Sequence, residues 1–499
     1  MSFAWVLFLI YLLGTAWLGW QGYRRTKGFG SFAVGDRNMN PIVVGVILAA
    51  SVSSASTFII NPGFVYVDGF SAFFHFVIGV GIGFFLMLAL LSFRFREIGA
   101  EHSALTIPDW IGKRYGSRGF ALFFSILSLL SFAFVVLLVG GISIVMQSLL
   151  GVSNTVALTI TLVFVTGYVF VGGTYAHVFT NMLQGSLMII VTLLVLASGL
   201  WVAFQQPDSL VGSLRNIDPN LVAWVNSDGR LFNNVFSIYV AGFIVGAVVV
   251  CQPHILTKAL YVKDDAAVRR YLWVFAIVFG LFQLLGAVGF FAHLAVPPDA
   301  LVDGATGQFR QDLVMTVYLK TVFPDWVFTI VSVVLLAAAM STLDGLLVGL
   351  STITANDLVL NLVGQRDGMD DEQRMALALK ASHVVLVVIA VAAFLINLNP
   401  PRLLGIFGQA GVYGLTVAAA PPLLLGVLFQ RVPVSLAWLA AIGAIVTHFG
   451  LFFFGDRLFP SSTLVFGNPG VTAPIAALVT IPPMLLIAAW FNRGTATDR

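Results

Sequence analysis

Polar residues are sparse in this chain, and apolar residues run in long unbroken blocks. Thirteen blocks approach or exceed the roughly 20 residues that cross a hydrocarbon core as a helix. They lie near 3–22, 41–66, 71–92, 119–149, 155–172, 179–203, 234–253, 271–293, 324–349, 379–397, 403–429, 434–454 and 472–491. The blocks are continuous rather than alternating, which excludes a barrel of tilted strands. Only closed helices satisfy every backbone group in lipid. The pattern predicts an all-α polytopic membrane protein with about thirteen transmembrane helices and the lipid bilayer as its main solvent.

Composition agrees. The chain has 499 residues, 59% hydrophobic and 9% charged, against roughly 25% charged in soluble domains. The few charges are placed unevenly. If the N-terminus lies outside, one set of loops holds 19 of the 25 Lys and Arg residues and the other holds 6, including Arg230 and Arg402. None is left inside a block. That asymmetry predicts the first set to be cytoplasmic, with the N-terminus outside, the C-terminus inside, and the cell's inner (plasma) membrane as location. The first block lacks a basic leader and is followed by Arg24 and Arg25, the reverse of a cleavable signal.

Several function classes drop out. A net charge of +3 argues against nucleic acid as a partner. One cysteine, Cys251, builds no disulfide framework. No GxxxxGK[ST] occurs, which argues against ATP-driven transport by this chain. The polar stretches are two outer loops near 204–233 and 294–322 and the cytoplasmic turn RDGMDDEQR at 366–374. No obligatory protein partner is expected.

Function is expected where polar groups or irregular backbone sit at membrane depth. The second block carries Ser51, Ser53, Ser54, Ser56 and Thr57, then Asn61-Pro62-Gly63. Tight helix packing with a proline kink explains this run. So does a discontinuous helix whose freed carbonyls coordinate a cation. The ninth block holds Asp344 near its middle, with Ser341, Thr342 and Gly345 beside it; positions 341, 344 and 345 share a helix face. A carboxylate at that depth costs about 2.5–3.5 kcal/mol on insertion scales and is a functional candidate by default. Hydroxyls plus one carboxylate suit a small hard cation or a proton. Asn181 and Gln184 share a face at the start of the sixth block.

AASVSSASTFIINPG, GGTYAHVFTNMLQG, CQPHILTKALYVKD and AAAMSTLDGLLVGLSTITANDLV occur in this order. With them the chain resembles the sodium:solute symporter family over most of its length. That resemblance implies the leucine-transporter-type fold: an inverted repeat of five plus five helices, the first of each repeat broken. The repeats would span 41–203 and 234–430. Around them lie an extra helix and loop in 1–40, an outer loop at 204–233, and two further helices in 431–499.

The resemblance further implies sodium coupling. The ion would be held by the carbonyls of Ala50, Ser53 and Ala338 and the hydroxyls of Ser341 and Thr342. Many relatives have Asp where Asn181 stands. Asp344, three residues after Ser341, is expected to supply the displaced carboxylate, so Asp344 and Asn181 mark a second site for a cation or proton. The small-molecule solute would contact Val52, Ser56, Thr57, His75, Tyr239 and Gln409. Val245 and Val249 replace the aromatics of the proline symporters, which disfavours proline and leaves a small carboxylate.

The expected activity is therefore sodium-coupled symport of a small organic solute by alternating access. A proton-coupled form using Asp344 and a transporter-like sensor are the alternatives. A sensor usually carries an added output domain, whereas the chain ends eight residues after its last block. An enzyme would need a His/Asp or Ser/Lys constellation at one depth, and none stands out. His254, after Pro253, reads as structural.

Overall fold

The computed structural model describes residues 3–54, 56–229, 231–302, 308–363, 370–400, 404–462 and 464–493. Arg230, Arg366, Arg402 and Arg499 of the charge pattern, the start of the 366–374 turn and the last six residues lie outside them. Among the described residues the architecture is helical, with a single isolated antiparallel bridge between Val302 and Phe309.

The main helices, in chain order, are α1 (Phe3–Tyr23), α2 (Pro41–Val52), α3 (Ser56–Asp68), α4 (Phe70–Glu101), α5 (Arg118–Leu150) and α6 (Asn154–Phe204). After the outer segment come α7 (Phe236–Val249), α8 (Pro253–Tyr261), α9 (Asp265–Ala295), α10 (Asp325–Val359), α11 (Asp371–Leu398), α12 (Ile406–Leu428), α13 (Val434–Leu458) and α14 (Pro469–Asn492). Ten are long and apolar enough to cross a membrane; α2 with α3, and α7 with α8, form two bent pairs that raise the number to twelve.

The 51-residue α6 is two helices joined at Gly173, whose φ of 50° and ψ of −134° leave the helical region. A Cβ at Gly173 would sit 2.4 Å from the Phe32 ring, so both the backbone angle and the packing require glycine. A straight helix of that length, at about 1.5 Å per residue, would overshoot two hydrocarbon cores.

Burial separates the centre from the periphery. The apolar windows of α10 and α12 are 72% and 89% buried, those of α1 and α11 28% and 22%. The outward faces carry large apolar side chains such as Ile10, Leu13, Trp201, Trp273 and Val384, as a lipid-facing surface requires. The centre is built from α2, α6, α8, α10 and α12, and the polar residues of the sequence motifs lie there.

The two bent pairs break for different local reasons. Between α7 and α8 the backbone turns by 65°. Gln252 is extended (φ −68°, ψ 142°) ahead of Pro253, the first residue of α8, as the residue before a proline prefers. Between α2 and α3 the turn is 61°, and no proline or glycine sits at the break. Ser53 leaves the helix (φ −85°, ψ 80°). The Ser54 hydroxyl accepts from the Ser56 amide at 3.3 Å, a side-chain substitute for a helical bond.

This corrects the expectation from Asn61-Pro62-Gly63. Pro62 lies inside α3, more than a turn past the break, and so does not make it. Gly63 is needed for packing: a Cβ there would approach the Gln311 carbonyl of the outer loop to 2.2 Å.

A second correction concerns Lys258, assigned from the charge pattern to a cytoplasmic loop. It lies in α8, is 1% exposed, and its ammonium donates to the His254 carbonyl at 2.6 Å. The apolar block ends at Pro253, and hydropathy does not see that the chain stays inside the protein after it.

Candidate functional site

Because α2 stops at Val52, the carbonyls of Ala50 and Ser51 near its end have no amide from a following turn, while Val52 O accepts from Ser54 N. The first two are met by α10. The Ser341 hydroxyl is within hydrogen-bond distance of Ala50 O (3.0 Å) and of its own Ala338 O (2.7 Å). The Thr342 hydroxyl donates to Ser51 O at 3.0 Å. Ala50, Ser51, Ser53, Ala338, Ser341 and Thr342 are all at most 1% exposed. Ala50, Ala338 and Ser341 thus converge as expected. Thr342 does as well, but on Ser51 rather than Ser53. Ser53 lines the break with a buried hydroxyl that has no protein partner.

This is a dry cluster of hard oxygens at the negative end of a half-helix. A small cation suits it: carbonyl and hydroxyl lone pairs are its preferred ligands, and the α2 dipole adds attraction. To accept a cation, Ser341 and Thr342 would turn their protons away and offer lone pairs. Among the described residues no group of three or more His, Cys, Asp or Glu gathers to hold a metal.

Asp344 stands next to this cluster, fully buried. Three donors from the two halves of α6 hold it: Tyr168 OH at 2.9 Å and Thr180 Oγ1 at 3.1 Å on Oδ2, and His177 Nδ1 at 2.9 Å on Oδ1. A buried carboxylate needs such partners to offset its lost hydration. The carboxylate therefore pins α10 to both sides of the Gly173 kink.

Asn181, one turn after His177, uses its amide differently. Nδ2 donates to Ser51 Oγ at 3.2 Å and to Ser341 O at 3.1 Å, and lies 3.0 Å from His177 Nδ1. Asn181 Oδ1 is buried without a protein partner. Asp344 and Asn181 are thus neighbours through His177, and Asn181 braces the α2–α10 contact. Gln184 reaches Tyr11 OH of α1 at 2.8 Å.

Of the solute candidates, Val52, Ser56 and Thr57 flank the break, and Gln409 is half-buried on α12. His75 and Tyr239 lie in an aromatic cluster with Phe74, Phe76 and Phe232. His75 Nδ1 is 2.8 Å from Ser237 O, and Tyr239 OH donates to Trp224 O at 3.2 Å. Gly242 packs against the His75 ring, leaving room for no side chain. Both polar groups are engaged by backbone carbonyls.

Sequence reasoning missed His177, Tyr168 and Thr180. The signal was present for the first: positions 177, 181 and 184 share one face, at the spacing already noticed for Asn181 and Gln184.

A helical bundle with a discontinuous central span, and a polar ion-sized cluster at its break, defines a secondary membrane transporter. A profile of the sodium:solute symporter family matches residues 32–443, and the chain belongs to that family. It is similar to the sodium/pantothenate symporter of Haemophilus influenzae, 28% identical over 437 residues covering 85% of each chain. It is also similar to the sodium/proline symporter of Escherichia coli, 26% identical over 441 residues covering 85% of this chain and 83% of that one. Among solved structures, a Na+-coupled sialic acid symporter in a substrate-bound outward-open state superposes with a TM-score of 0.74. That match is at 16% identity and covers 96% of this chain and 97% of the other. The shared fold is that of transporters, not of enzymes.

Proposed function

We propose that this protein imports a small organic carboxylate across the inner membrane, coupled to inward sodium flow through alternating access. The observation that carries the reading is the meeting of the Ser341 and Thr342 hydroxyls with the Ala50 and Ser51 carbonyls at the end of a broken helix. Sodium would bind there, held by Ala50, Ser53, Ala338, Ser341 and Thr342, with Ser51 as a further carbonyl. It would bridge α2 and α10, favour one arrangement of the bundle, and preform the solute site. The membrane potential contributes about 2.3 kcal/mol per charge per 100 mV, enough to drive accumulation.

The topology that goes with this reading has thirteen crossings, the halves of α6 counting as two, with the N-terminus outside. The repeats are 41–203 and 234–430, each opening with a bent pair. The solute class is supported by the relatives: pantothenate, proline and sialic acid each carry a carboxylate. Val52, Ser56, Thr57 and Gln409 are the contacts we favour. Asp344, already held by three protein donors, acts in this reading as a fixed anchor for the helices around the ion. A second cation or a coupling proton at Asp344 and Asn181 is the alternative.

Uptake into proteoliposomes, with labelled pantothenate and related carboxylates as probes, tests the reading. Accumulation that needs an inward sodium gradient is expected. Accumulation driven equally by a proton gradient in sodium-free buffer, and lost in Asp344→Asn, would favour the protonic alternative.

A further inference from the structure

A small cavity lies next to His177, on the side of the segment that carries Leu105 and Thr106, which the basic loops mark as cytoplasmic. It has room for about one water-sized body. Its wall includes His177, Gly345, His254, Thr352, Leu105 and Thr106. Two buried polar atoms on this wall, His254 Nδ1 and Thr352 Oγ1, have no protein partner. Polar atoms left unsatisfied in a dry interior are costly, so this passage is built to be wet.

His177 links that passage to the ion cluster. Its Nδ1 bonds Asp344, and it lies beside Asn181, whose amide reaches Ser51 and Ser341 at the break. Its ring also forms part of the cavity wall, packed on the bare face of Gly345. A Cβ added there would meet His177 Cε1 at 3.0 Å and the His254 Cβ at 3.6 Å. Glycine at 345 leaves the clearance that a rotating ring needs. Asp344 does not depend on the ring alone, because Tyr168 and Thr180 also donate to it. Swinging the imidazole away gives up its bond to Asp344 and its contact with the Asn181 amide, and still leaves the carboxylate held.

We infer that His177 is the cytoplasmic gate of the ion path: a ring latched on Asp344 that separates the ion cluster from the cavity and swings over Gly345 to release the ion. The inference rests on the sodium site proposed above. The gate opens into the cavity whose wall also carries Thr106. There the Thr106 hydroxyl donates to Asp357 Oδ2 at 2.5 Å.

Radiolabelled sodium alone tests this, using full-length protein in proteoliposomes with no solute present. His177→Ala should raise solute-free sodium efflux by about tenfold or more, while the sodium-dependent thermal shift keeps its midpoint within about threefold. Gly345→Ala should do the reverse, holding the ring in place and slowing sodium exchange by about tenfold. An unchanged efflux in a folded His177→Ala protein overturns the gate, as does a leak that appears only together with loss of the sodium-dependent shift. If His177→Ala does not fold, His177→Asn, shorter but still able to donate to Asp344, answers the same question by the same readout. A wild-type protein with no sodium-dependent thermal shift would instead sink the proposed function.

Discussion

The two bent pairs of this protein differ in what their breaks offer. At the first, three serine-rich positions end α2 without proline or glycine, and the released carbonyls of Ala50 and Ser51 are met across the bundle by α10 hydroxyls. At the second, Pro253 enforces the break, and the polar atoms nearby, Gln252 Oε1 and His254 Nδ1, have no protein partner. A break is a local event, but its use depends on which side chains reach it from other helices. The first faces hydroxyls, the arrangement the proposed ion site needs; the second faces a water-sized cavity.

The sharpest way to break this contrast is to remove the hydroxyls at the first site. In Ser341→Ala/Thr342→Ala, half-saturating sodium for uptake should rise by roughly a hundredfold, from two bonds to a charged group at about 1.5 kcal/mol each. An unchanged sodium dependence would move the ion elsewhere. Pro253→Ala acts on the second break by returning a backbone donor to a path that a straight helix would follow. We expect the maximal uptake rate to fall by roughly tenfold while half-saturating sodium moves less than about threefold. Equal losses in both parameters would erase the distinction between the breaks.

Ser54→Ala removes the hydroxyl that accepts from Ser56. A cap of this kind is worth about 1 kcal/mol, so sodium affinity in a thermal-shift titration should weaken by about fivefold. His75→Asn should be nearly silent, with solute half-saturation changed by less than about twofold, because its ring already bonds Ser237 O. A tenfold rise would return His75 to the solute site.

Much of the site was readable from the chain because its residue types are rare in lipid. A run of serines and a lone Asp stand out against Leu, Val and Phe, and Ser51, Ser53, Ser54 and Asp344 proved to be buried. The position of the first break was not readable. Proline and glycine advertise breaks, yet Pro62 and Gly63 lie past this one, and hydroxyls competing for backbone bonds made it. Lys258 misled for a related reason. Hydropathy records where an apolar run stops, not where the protein interior stops.

Sequence alone determined the helical bundle, its thirteen apolar blocks and the polar positions that lipid would not tolerate without a partner. These follow from the cost of bare backbone and charge in hydrocarbon, which is a property of each segment by itself. Tertiary structure decided which partner each polar group takes: Thr342 on Ser51, Asn181 on Ser341, and His177, Tyr168 and Thr180 on Asp344. Those choices depend on how helices rotate and cross. Lipid gives little guidance there, because an apolar helix face is as content against acyl chains as against another helix.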